Sequence, residues 1–211
     1  MPFDLWLAFA SASVLLLVIP GPTLMLVLSY AMTQGRRVAV ASALGVATGD
    51  LIAMTLSVIG LGALLLTSAL AFTVLKWIGA IYLVYLGLRM LRSAARPTQT
   101  TALTDRPAGQ SAGKVFRDLA TVTALNPKSN TFFVAFVPQF IQPDAAFAPQ
   151  AAILIATFVA IAALNALIFA LCAHAMRSRI TRPVVQMWLT RCGGAVLVAM
   201  GVMTATLRRA T

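Results

Sequence analysis

The chain has 211 residues, of which 60% are hydrophobic and only 10% charged, with a mean hydropathy of +0.92. A water-soluble domain carries about 25% charged residues, so this composition excludes an ordinary soluble fold and points to lipid as the solvent. The net charge of +11 does not make the chain a nucleic-acid binder, because its cations form no basic helix face and nearly all of them flank apolar runs.

The chain begins MPFDLWLAF, with an acid and no cation ahead of its first apolar run. That run is therefore expected to be kept as a span, since a cleavable signal peptide needs a basic region before its apolar stretch. Six stretches are long enough to cross about 30 Å of hydrocarbon, which takes roughly 20 helical residues. They are expected at residues 5–31, 38–66, 70–91, 116–141, 150–173 and 190–207. The runs are continuously apolar, without the alternation of a lipid-facing strand, so the fold class is an all-α polytopic membrane protein.

The first span is interrupted by Pro20-Gly21-Pro22 and the fourth by Asn126-Pro127-Lys128. Proline removes a helix hydrogen bond and clashes with the preceding turn, so both spans should break or kink there. Helices resuming at Thr23 and Ser129 would point partial positive charge into any cavity at the breaks.

The second span carries Asp50, twelve residues in from Val38. At 1.5 Å per residue this is about 18 Å along the helix, near the midplane. A charged carboxylate there costs at least a few kcal/mol, so it must be paired, hydrated or protonated. One reading is a buried aspartate that ties two helices together. The other is a carboxylate lining a water-accessible cavity, where it binds a proton, a substrate ammonium, or each in turn. Lys128, at a similar depth in the fourth span, is the expected partner, with snorkelling to the inner surface as the alternative. Asn126 and Asn165, the latter deep in the fifth span, add neutral hydrogen-bonding groups.

Ala41, Gly45, Gly49, Ala53 and Ser57 recur every four residues and form a smooth ridge on the second span, which admits a close helix neighbour. Gly79 and Gly87 read the same way in the third. Trp6, Trp77 and Trp188 sit at predicted span edges as interfacial anchors. His174, the one histidine, reads as an interfacial residue. Cys172 and Cys192 have no metal-ligand spacing and fall on the side expected to be reducing, so neither is expected in a disulfide or a metal site. No metal, cofactor or nucleotide motif is found, and no enzyme constellation.

Orientation follows from the loops. Arg36, Arg37, Arg89, Arg92, Arg96, Arg106, Lys114, Arg117, Arg177, Arg179, Arg182 and Arg191 fall on one side of the six-span scheme, and only Arg208 and Arg209 on the other. The positive-inside rule then puts both termini outside the cytoplasm. Residues 93–113, rich in Pro, Thr, Ala and Gly, read as a flexible cytoplasmic linker. It divides the chain into residues 1–92 and 114–211, with three spans each. An odd number of spans per half makes a duplicated half enter upside down, as in many secondary transporters. The proline breaks, the pair Asp50 and Asn165, and Gly79-Ala80 beside Gly194-Ala195, preceded at equal spacing by Lys76 and Arg191, all fit such a repeat.

The segments VIPGPTLMLVLSYAMTQGRRVAVASALGVATGD, LKWIGAIYLVYLGLRMLR and LNPKSNTFFVAFVPQFI together resemble the LysE/RhtB family of bacterial amino-acid exporters, over essentially the whole chain. The resemblance implies a multi-pass efflux protein of the bacterial cytoplasmic membrane, driven by the proton motive force. Its members export lysine, arginine, threonine, homoserine, homoserine lactone or leucine. The matching motif residues are Pro20, Gly21, Pro22, Gly45, Gly49, Asp50, Asn126, Pro127 and Lys128. With no second acid evident near Asp50, a neutral amino acid is favoured over a basic one. The expected partners are the solute, protons and the bilayer, with a second copy of the chain as a further candidate. A passive channel and a non-transporting partner subunit are the alternatives. Polar residues concentrated at one depth favour a carrier over a channel.

Overall fold

The computed structural model describes residues 1–19, 21–67, 69–93, 109–142, 144–180 and 183–206. These are helical, with no strand among the described residues: α1 (Phe3–Val18), α2 (Pro22–Gln34), a 3-10 turn (Gly35–Val38), α3 (Ala39–Thr67), α4 (Ala69–Ser93), α5 (Ala112–Ala124), α6 (Pro127–Ala135), a second 3-10 turn (Val137–Phe140), α7 (Phe147–Ile180) and α8 (Pro183–Thr206). Pro20, most of the expected linker, and Arg96, Arg106, Arg182, Arg208 and Arg209 lie outside the described residues, as do the side chains of Lys76 and His174.

Both expected breaks are present, and each follows from the residue before a proline. Steric conflict with the proline ring drives that residue out of the helical region. Ile19, before Pro20, is extended at φ −65°, ψ 124° and ends α1. Asn126, before Pro127, stands at φ −71°, ψ 112° and precedes α6. The helices resume one and two residues earlier than expected, with Pro22 and Pro127 inside their first turns rather than before them. Proline is well placed there, because a first-turn N–H has no intrahelical acceptor to lose.

The glycine ridge sets the approach of α3 to α5. A Cβ on Gly45 would stand 2.6 Å from the Phe116 carbonyl oxygen, and one on Gly49 2.6 Å from that of Ala120. Both contacts advance together by four residues, so the two helices run parallel. Between α4 and α8 the contacts run the other way, Gly87 against the Gly194 carbonyl and Gly201 against that of Ala80, which makes this pair antiparallel. Gly79 lies against Ala135 of α6. Packing on small residues thus joins helices from both halves of the chain, as close backbone approach in lipid requires.

An aromatic cluster of Phe9, Phe132, Phe133, Phe136, Phe140 and Phe158 ties α1, α6, the second 3-10 turn and α7, with ring centroids 4.8 to 6.3 Å apart. The outer faces are apolar as well: Leu56, Ile59, Leu70, Ile81, Tyr85 and Leu164 are all exposed. Water would not support that surface over so many helices, whereas lipid does. By length and composition, residues 22–62 and Phe147–Ala173 are able to cross a membrane, and Phe3–Val18 and Thr190–Ala205 are shorter apolar helices. Trp77 and Trp188 are about half exposed, with the Arg191 guanidinium 5.7 Å from the Trp188 ring centroid. Trp6 instead donates its indole N–H to Thr157 Oγ1 at 3.0 Å, tying α1 to α7.

Candidate functional site

The two helix breaks meet. Asn126, at the start of α6, donates its amide to Thr23 Oγ1 of α2 at 3.1 Å, and Thr123 of α5 donates its hydroxyl to the same oxygen at 3.4 Å. The Asn126 side-chain oxygen accepts the backbone N–H of Lys128 at 3.0 Å, which caps α6. One asparagine thus secures the start of one helix and ties it to the other break.

Lys128 lies at this junction, 8% exposed. Its ammonium donates to the carbonyl oxygens of Leu16 at 3.0 Å and Ile19 at 2.9 Å. These carbonyls belong to the end of α1, where intrahelical donors have run out and the helix dipole is negative. No ion pair between Lys128 and Asp50 is found among the described residues, but the two opposite charges lie close enough to attract one another. The broken helix supplies two acceptors within reach of the ammonium, and the lysine caps them. Nor does the side chain snorkel outward. Gly21 leaves room beside the ammonium: a Cβ there would stand 3.3 Å from Lys128 Nζ.

Asp50 is 1% exposed, and its Oδ1 has no hydrogen-bond partner. It faces an open-mouthed cavity between α1, α2, α3, α5, α6 and α7. Asp50, Asn126, Lys128 and Asn165 all line it, together with Gly21. Asn165 reaches it from α7 and is held by donation of its amide to the Leu17 carbonyl at 3.3 Å. Of the four residues expected to bind solute or proton, all four converge here. Of the break residues, Gly21 lines the cavity, while Pro22 and Pro127 shape the backbone around it. Gly45 and Gly49 lie outside it, bringing α3, and with it Asp50, against α5.

Thr23, Thr123 and Ser129 also line the cavity, and the sequence reading did not single them out as site residues. Thr23 and Ser129 are the residues that follow the PGP and NPK motifs, which was the available signal. Asp118 was missed too. It accepts the Tyr30 phenol proton and so joins α5 to α2 beyond the Thr23 cluster.

Chemically the cavity offers a buried carboxylate, part of an ammonium, hydroxyls and an amide within apolar walls. Such walls make each polar interaction stronger than it is in water. Apolar helices with hydrophobic outer faces, enclosing a polar cavity at paired helix breaks, make up a helical membrane protein built to pass a small polar solute.

Residues 14–208 match the family described as LysE type translocator, and the chain belongs to that family. It is accordingly a transporter and not an enzyme. It is 35% identical over 211 residues to the homoserine/homoserine lactone efflux protein of Salmonella typhimurium, and 34% identical over 211 residues to the protein of that name from Salmonella typhi, with the whole of each chain covered. It is also 33% identical over 208 residues to an uncharacterized membrane protein of Vibrio cholerae, covering 99% of this chain and all of that one. No solved structure matches.

Proposed function

We propose that the chain exports a small neutral amino acid or a close derivative across the bacterial cytoplasmic membrane in exchange for protons, with Asp50 as the group they share. The observation that carries this reading is the orphaned, buried Asp50 oxygen facing the cavity. A buried carboxylate with an unsatisfied oxygen facing a cavity gains from any cation that arrives, whether a proton or an α-ammonium. Binding one excludes the other, and that competition is the elementary step of an antiporter.

The opposite end of the solute meets Lys128. An ammonium has three donors, and two are taken by α1. The third is left to meet a carboxylate or carbonyl oxygen, and the Ser129 hydroxyl lines the same cavity. The Salmonella relatives are named for efflux of both homoserine and its lactone. Both solutes carry an ammonium, and only the first carries a carboxylate. A site anchored on Asp50 suits the pair, and homoserine is the solute we assign first.

The same reading takes the protein as six spans in two inverted halves. Helix directions support it: α3 with α5 parallel and α4 with α8 antiparallel, as strictly alternating spans require. The breaks between α1 and α2 and between α5 and α6 occupy equivalent places in the halves and meet at the cavity. Both termini lie outside the cytoplasm, on the strength of the cations at Arg36, Arg37, Arg89, Arg92, Lys114 and Arg117. The mechanism needs solute, protons and lipid, and admits a second copy of the chain as a partner.

The test is efflux from proteoliposomes preloaded with a labelled amino-acid panel, with and without an inward proton gradient. Saturable efflux of neutral amino acids that the gradient accelerates is expected, and Asp50→Asn should abolish the acceleration. Full gradient-driven efflux from that variant contradicts the assignment.

A further inference from the structure

The hydrogen bonds around Thr23 give this residue a chemical direction. Its oxygen accepts from the Asn126 amide at 3.1 Å and from the Thr123 hydroxyl at 3.4 Å. A hydroxyl has two acceptor lone pairs and one proton to donate. The Asn126 amide fixes one acceptor position, and the Thr123 hydroxyl, which can donate or accept, makes a long contact of 3.4 Å, so a solute oxygen in the cavity can take the Thr23 proton in its place. Thr23 lines the cavity, as does Asp50, whose buried Oδ1 is also without a partner. One side of the cavity thus presents an acceptor for a cation and another presents a hydroxyl donor fixed by two neighbours. Asn126 and Thr123 are themselves buried, so the half-buried Thr23 hydroxyl is held in place from behind.

From this geometry we infer that Thr23 is a specificity-determining residue, whose hydroxyl donates to an oxygen on the solute side chain and so selects oxygen-bearing amino acids over aliphatic ones of the same shape. The inference rests on the exporter reading and deepens it. Ammonium and carboxylate are common to every amino acid, so Asp50 and Lys128 cannot tell one from another. A hydroxyl donor in an apolar wall can, because a solute that lacks the acceptor leaves the donor without that partner. Ser129 also lines the cavity and follows Lys128 in the chain, which makes it the hydroxyl against which Thr23 is compared.

The experiment measures efflux of L-homoserine and L-norvaline, which differ by a hydroxyl in place of a methyl, from proteoliposomes of wild type, Thr23→Ser, Thr23→Val and Ser129→Ala. Wild type should favour homoserine by about tenfold in kcat/KM, the size of one buried hydrogen bond. Thr23→Ser should keep that ratio, because it keeps the hydroxyl. Thr23→Val should bring the ratio close to one, chiefly by slowing homoserine. Ser129→Ala should weaken both solutes alike and leave the ratio intact. Equal handling of the two solutes by wild type overturns the inference even where Thr23→Val fails to fold. So does an unchanged ratio in Thr23→Val, or a ratio that collapses in Ser129→Ala instead. Absence of amino-acid efflux from folded wild type overturns the exporter reading itself, and the Thr23 assignment with it.

Discussion

At the scale of single residues, the two buried charges have different work. Asp50 is left with an unpartnered oxygen, while Lys128 is bonded to the end of α1. Replacing Lys128 with Met keeps the bulk of the stem and removes the ammonium, leaving the Leu16 and Ile19 carbonyls without that donor. The cost should be about 1.5–3 kcal/mol per lost charged hydrogen bond. Thermal unfolding in detergent should show the loss directly, along with reduced transport. Asp50→Asn should by contrast unfold at or above the wild-type temperature, because it removes a buried acid whose Oδ1 has no hydrogen-bond partner. A variant of Lys128 as stable as wild type would mean that the α1 cap contributes nothing.

At the scale of helices, the ridge on α3 makes a prediction that separates packing from chemistry. A Cβ at Gly49 would meet the Ala120 carbonyl oxygen at 2.6 Å and Thr123 Cβ at 2.7 Å, whereas one at Gly60 meets nothing within 4 Å. Gly49→Val should destabilise the fold by about 1–3 kcal/mol or more, since a backbone oxygen cannot move aside as a side-chain tip does. Gly60→Ala on the same helix should be neutral or stabilising by about 0.5–1 kcal/mol. Equal unfolding temperatures for the two variants would contradict the packing of α3 on α5.

These elements were largely legible in the sequence, and the reasons are local. Continuous apolar runs gave the helices, and each proline dipeptide gave a break. The spacing of four gave the ridge, and the depth of Asp50 gave the cavity residue. The partner of Lys128 was not legible. Its acceptors are main-chain carbonyls, which carry no sequence signal, and they are exposed only because Ile19 leaves the helix three residues before α2 begins. Thr23 was hidden for a related reason. Its significance comes from two donors on α5 and α6, about a hundred residues away, and only folding brings them together.

At the scale of the whole molecule, the six-span scheme makes predictions for both orientation and coupling. The proposed orientation, with both termini outside, would place the turn at Arg36 on the cytoplasmic side and the exposed segment at Asp144, between the second 3-10 turn and α7, on the outer side. In a background lacking Cys172 and Cys192, Arg36→Cys in intact cells should resist an impermeant maleimide and Asp144→Cys should react, with the reverse in inverted vesicles. Labelling of Arg36→Cys from outside would reverse the topology.

Proton movement measures coupling without reference to rate. Proteoliposomes with a pH-sensitive dye inside are loaded with L-homoserine and diluted into solute-free buffer at equal pH. In wild type, solute leaving should drive protons inward and acidify the lumen, saturably with internal solute, while Asp50→Asn should show no solute-linked acidification. Saturable homoserine efflux from wild type with no change in lumenal pH, or equal acidification by Asp50→Asn, would contradict proton exchange at Asp50.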